Sequence, residues 1–134
     1  MNITWIKVVF AVSGIYDSAL GLAFLLFAPQ IFARFGITPP NHPGYIQFPA
    51  LLLIIFGVMF LQVARDPGGH RDLMLYGAAL KAAYCGIAFW HELHGGIPDL
   101  WMPWAWADLV FCVAFLVAWR QTARALPASM NELK

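Results

Sequence analysis

Three ionisable side chains, Asp17, Lys81 and Asp108, stand inside stretches that are otherwise almost wholly apolar. Lys81 lies near the middle of RDLMLYGAALKAAYCGIAFWHELH (71–94), where about 18 mostly apolar residues from Leu73 to Trp90 would form roughly 27 Å of helix. That length is close to the hydrocarbon thickness of a bilayer. A lysine at such depth is unfavourable by about 2.5–3.5 kcal/mol on insertion scales, so it needs a partner or a purpose. Counted at helical rise from the basic end of each run, all three charges lie roughly 12–18 Å in. A lysine stem reaches only about 6 Å, too short to bring the ammonium to the surface from mid-span. The matching depths predict Lys81 within ion-pair or single-water reach of Asp17, Asp108 or both, in a buried polar centre between the first, third and fourth apolar runs. Two carboxylates facing one lysine leave negative charge in excess, so a proton, a cation or a ligand's donor group is expected there. Tyr16, Tyr84 and Cys85, beside these charges or one turn away, are expected to line the same cavity. The centre can be read as a proton relay or ligand site, or as a structural ion pair that sets helix register.

A second group of chemistry-bearing residues, His91, Glu92, His94 and Asp99, with His42 further off, falls in the loops. His-Glu-Leu-His is not HExxH, because the position that would need histidine is Gly95, and it lacks the Glu-x-x-His of di-iron bundles. His91 and His94 are therefore weak metal candidates and no metal is expected. A haem held between helices would want histidines inside two spans, and only His91 comes near one. Cys85 and Cys112 form no CxxC and read as small buried hydrophobes rather than a redox pair. No phosphate-cradling loop, nucleophile elbow or internal repeat is evident, which argues against a nucleotide-dependent enzyme.

Composition indicates what must position these residues. Of 134 residues, 61% are hydrophobic and 11% charged, against about 25% charged in an ordinary soluble domain. A net charge of +1 gives no case for nucleic-acid binding. The chain reads as a single integral membrane domain, an all-α bundle of four transmembrane helices spanning about 8–28, 45–64, 73–90 and 104–119. The first run follows Lys7 and could pass for a signal peptide. Its length, Asp17 at its centre, the lack of a small-residue cleavage site and Met1 at the head of the chain all favour a retained helix.

Pro29 is expected to end that first helix. In PQIFARFGITPPNHPG, Ile31, Phe32 and Phe35 around Arg34 suggest a short interfacial helix in the first outer loop. The second span carries no charge and reads as a packing element. Asp-Pro-Gly-Gly is a tight turn, with Asp72 a candidate cap for the third helix. That third helix carries Gly77, Ala78, Ala79, Ala82, Ala83, Gly86 and Ala88, and is expected to be the inner, most contacted span, with Ala82 and Gly86 too crowded for leucine. Trp101, Trp104 and Trp106 open the fourth span as an interface belt, and the tail is expected to fray beyond Pro127. Lys7, Arg65, Arg71, Arg120, Arg124 and Lys134 lie at one side of the spans and Arg34 alone at the other. The positive-inside rule then places both termini and the 65–72 turn in the cytoplasm.

The segment GIYDSALGLAFLLFAPQIFARFGI (14–37) resembles the opening of small four-helix bacterial membrane proteins of the DoxX-like kind, including the BphX-like proteins, in its Tyr16-Asp17 pair, Gly21 and Pro-bounded outer loop. The resemblance implies a membrane accessory role, with links in the wider group to quinone or sulfur redox metabolism, and carries over no catalytic residue. Two functions are therefore expected. One is a non-catalytic binding or accessory subunit, taking a small amphipathic ligand or supporting a larger membrane complex or homo-oligomer. The alternative is a membrane redox component using quinone near the tryptophan-lined outer end.

Overall fold

The computed structural model of the protein describes residues 2–125. Four long helices run α1 Thr4–Phe35, α2 Gly44–Arg65, α3 Arg71–Leu93 and α4 Met102–Ala125, the last preceded by a single 3-10 turn, Asp99–Trp101. All four spans are long and apolar enough to cross a membrane. In lipid a backbone must satisfy its own hydrogen bonds, and uninterrupted helices do so. The protein is a four-helix bundle of the multi-pass membrane type. The expected fraying beyond Pro127 and the basic Lys134 lie outside the described residues.

Helix limits differ from expectation where local chemistry decides them. Pro29 does not end α1: the chain kinks at Phe27 (φ −129°, ψ 18°) and resumes as a short helical segment to Phe35. Pro29 lies in the first turn of that segment, where its missing N–H costs least. The segment occupies the place of the expected interfacial helix, and its Phe32 folds back onto Phe24 at 6.1 Å between ring centroids. Gly36, at φ 63°, closes it: the Gly36 amide donates to Ala33 and the Ile37 amide to Phe32, the Schellman pattern that favours a residue without Cβ. Asp72 is not the cap of α3. His70 holds that position without a side-chain hydrogen bond, and Asp72 sits in the first turn, where its charge suits the helix dipole. Asp66 organises this turn by accepting from the Gly69 amide at 3.0 Å.

The helices pack as two hairpins, α1 on α2 and α3 on α4. In the first, backbones touch: a Cβ on Gly21 would stand 2.6 Å from the Ala50 carbonyl, and one on Gly14 2.8 Å from that of Gly57. Small residues permit this approach in membranes. The hairpins then meet through an aromatic core at the end of the bundle where α1 begins. Phe10 stacks on Phe115 at 4.1 Å, Phe60 meets Phe115 edge-on at 5.0 Å, and Ile6, Val63, Met74, Ala78 and Ala118 surround them. Trp5 Nε1 donates to Gln121 at 3.2 Å, and Arg71 donates to the Trp119 carbonyl while lying 4.3 Å over its ring. The start of α1, the 66–70 turn and the close of α4 therefore share one end of the bundle, labelled inner, with the opposite end labelled outer.

α3 is not surrounded by protein. Met74, Gly77, Ala78, Lys81, Cys85 and Ala88 form its buried stripe, whereas Ala79, Ala82, Ala83 and Gly86 are exposed. A Cβ on Gly86 would meet nothing within 4 Å. The expectation of crowding at Ala82 and Gly86 is thus overturned: only one arc of this helix is used, because among the described residues no helix covers its other side.

Candidate functional site

Lys81 lies on the buried stripe of α3, at the level where the two hairpins begin to separate above the aromatic core. Its ammonium stands 2.6 and 2.9 Å from the two carboxylate oxygens of Asp17 and 2.9 Å from Oδ1 of Asp108. An ammonium has three N–H donors, and three oxygens meet them. The rings of Tyr16, Phe111 and Phe60 enclose it at 5.2, 5.4 and 5.7 Å, within cation–π range. Lys81 and Asp17 have side-chain exposures of 0% and 1%, and Asp108 of 9%. The three charges taken from different helices therefore form one cluster, as their depths predict.

The local sequence explains this convergence. Asp17 shares a buried face of α1 with Ser13, Phe10 and Phe24, while the neighbouring Gly14 and Gly21 serve the α2 contact. Close approach of α1 to α2 therefore leaves Asp17 directed at the opposite hairpin. Asp108 lies one turn below Trp104, and the Cys112 thiol one turn further donates to the Ala78 carbonyl at 3.5 Å. The partner side of α4 is thus aromatic above and thiol-bearing below.

Above the cluster, toward the outer end, lies a cavity of about 270 Å³ bounded by all four helices and the 3-10 turn. Tyr16, Asp17, Tyr84, Trp104 and Asp108 form its polar side, and Leu20, Phe24, Leu53, Leu80 and Trp101 its apolar walls. Phe24 stacks on Trp101 at 5.7 Å, and the Tyr84 hydroxyl donates to the Trp101 carbonyl at 3.0 Å, so the start of α4 is pinned across the outer side. Two buried donors, the Tyr16 hydroxyl and the Trp104 indole N–H, have no hydrogen-bond partner among the described residues. The second oxygen of Asp108, whose Oδ1 is taken by Lys81, also has no hydrogen bond among the described residues but is not fully buried. Buried polar groups are normally satisfied, so the Tyr16 and Trp104 donors call for a partner such as a water or a ligand's acceptor.

Tyr16 and Tyr84 thus line the cavity as expected, but Cys85 does not. Its thiol turns to the Ala82 carbonyl, and it packs with Ala88 and Ala105 between α3 and α4. The helical rotation that aims Lys81 at the two aspartates carries Cys85 onto the α4 contact. The outer polar residues finish helices and shape loops: His94 Nδ1 contacts the Trp90 carbonyl at 2.7 Å, Glu92 accepts from the Ile97 amide at 3.0 Å, and His42 from the Gly44 amide at 3.0 Å. Among the described residues no group of three or more His, Cys, Asp or Glu is placed to hold a metal ion. Sequence reasoning missed Trp104 as a cavity residue, because its place in a tryptophan-rich helix start reads equally as an interface belt. It also missed the walls from α2, since an uncharged span shows nothing of which face it turns inward.

No protein-family model, curated protein or solved structure matches this chain.

Proposed function

We propose that the protein is a non-catalytic binding or accessory subunit of a bacterial inner membrane, with its termini cytoplasmic, that holds a small amphipathic molecule in the cavity above Lys81. The observation carrying this reading is an apolar chamber whose lining residues include two with unpaired buried donors, Tyr16 and Trp104, and a carboxylate, Asp108, with one oxygen left free of Lys81. Ligand sites combine apolar walls with a few placed polar groups in this way. The inner-membrane orientation rests on the excess of basic residues at the inner end. The resemblance to DoxX-like proteins belongs with the same proposal, as does the short 28–35 segment lying at the membrane surface. An accessory role is supported by the exposed Ala79, Ala83 and Gly86 on α3, where another helix could come close.

Native mass spectrometry from membrane nanodiscs tests the binding reading. The wild type should carry a bound small molecule that Leu53→Trp, which fills the chamber, loses while keeping its helical fold. Bare wild-type protein, together with a more stable Leu53→Trp, would make the chamber a packing defect. A quinone-linked redox component is the second reading, favoured by the Tyr16 and Trp104 donors, which suit a quinone carbonyl. It requires that organic extracts of the purified protein contain quinone, and that Tyr16→Phe lowers the amount retained.

A further inference from the structure

We infer that the chamber selects a hydrophobic organic ammonium: a protonated amine on a small apolar or aromatic body. The inference rests on the binding reading above and adds the charge of the ligand.

The charge balance of the cluster points there. One ammonium stands against two carboxylates, and the cation is wholly used, with each N–H directed at an oxygen. Among the described residues no second Lys or Arg forms a salt bridge with either aspartate. With all three groups ionised, the centre carries one negative charge in excess, which either a proton on a carboxylate or a second cation balances. At low dielectric an unbalanced charge interacts strongly with anything of opposite sign that reaches it. Both aspartates line the cavity, and Asp108 is the more open of the two: it is nine-tenths buried where Asp17 is wholly buried, and its second oxygen has no hydrogen-bond partner among the described residues. An N–H from an ammonium in the chamber would complete it.

The walls suit the remainder of such a molecule. Tyr16, Phe24, Trp101 and Trp104 line the chamber, and aromatic rings recognise ammonium groups elsewhere. Lys81 itself shows this preference, since its own ammonium sits over Tyr16 at 5.2 Å. A second hollow of about 530 Å³ lies under the proline-rich loop, and Phe24 and Ile46 line both it and the chamber. A neutral carbonyl ligand would meet the Tyr16 and Trp104 donors but leave the excess charge where it is, so charge is the property to test.

The test compares two molecules of one shape, N,N-dimethylbenzylammonium and isobutylbenzene, titrated into the ¹⁵N-tryptophan-labelled full chain in nanodiscs at neutral pH. The indole signals of Trp101 and Trp104 report on the chamber directly. The ammonium should shift both saturably, with isobutylbenzene about tenfold weaker or more. Asp108→Asn, which keeps an oxygen for Lys81, should remove most of that difference. Equal binding of the two molecules by the wild type would overturn the cation inference and leave a chamber for neutral ligands. No shift at either tryptophan with either molecule would overturn both. The wild-type comparison decides the matter even if Asp108→Asn does not fold.

Discussion

The two halves of the bundle are built from the same residue types and behave differently. At the inner end Phe10, Phe60 and Phe115 fill the space between the hairpins, with each ring packed on another. At the outer end Phe24, Trp101 and Trp104 stand around a chamber of about 270 Å³. The difference follows from what lies behind the rings. Gly77 makes room at the inner end: a Cβ there would stand 2.5 Å from Phe60, so α3 comes close enough to seal the core. At the outer end Tyr84 reaches across to the Trp101 carbonyl and props the start of α4 over the space. The charged cluster sits where packing gives way to chamber. Aromatic content alone therefore does not distinguish a core from a site; the small residues behind the rings do.

The sharpest way to break this comparison is at the boundary. Lys81→Met strands two buried carboxylates and should destabilise the bundle by about 3–5 kcal/mol, the range for removing one partner of a buried pair. Adding Asp17→Asn should recover part of that loss, because the cluster couples the two positions. Unfolding of both variants and the double in detergent measures it, and strictly additive losses would mean that the 2.6 Å pairing carries no coupling. Next in size is the contrast between halves. Phe115→Ala opens a cavity in a filled core and should cost about 3 kcal/mol or more. Leu53→Ala enlarges a chamber that already exists and should cost clearly less. Equal losses would make the two halves energetically alike. At the hairpin contact, Gly57→Ala places a Cβ 2.8 Å from the Gly14 carbonyl and against the Ser18 hydroxyl, an overpacking of about 1–3 kcal/mol. Stability unchanged from wild type would show that α1 and α2 have room to part.

How far the sequence reveals this arrangement depends on the kind of signal. Charges in apolar runs are conspicuous, and helical rise converts their positions into depths, so the meeting of Asp17, Lys81 and Asp108 is legible in the chain itself. The four spans are legible for the same reason, since their lengths are set by the bilayer. Rotation about each helix axis is not. Cys85 is four residues from Lys81, and nothing in the chain says that it faces Ala105 instead of the chamber. Proline misleads at Pro29, where it is tolerated in the first turn after a kink and so does not end α1. The chamber itself leaves no trace in the sequence, because an empty volume belongs to pairs of helices and to no single segment.

The smallest expected effect concerns the residue whose surroundings reversed an expectation. Gly86 belongs to the most glycine- and alanine-rich helix, and by composition should be crowded, yet its Cβ would meet nothing within 4 Å. Three positions earlier on the same exposed side, Ala83 is also open, while Cys85 and Ala88 turn inward to α4. Gly86→Leu should therefore leave the stability of the isolated protein within about 0.5 kcal/mol of wild type, since a larger apolar chain there faces lipid. Removing a helix-interior glycine adds a small propensity gain in the same direction. Thermal unfolding of the detergent-purified variant at a concentration that keeps it monomeric makes the measurement. A loss of more than about 1 kcal/mol under those conditions would mean that this face of α3 is packed after all. A variant stable alone that no longer copurifies with a larger assembly would instead locate the partner of the accessory reading on that face.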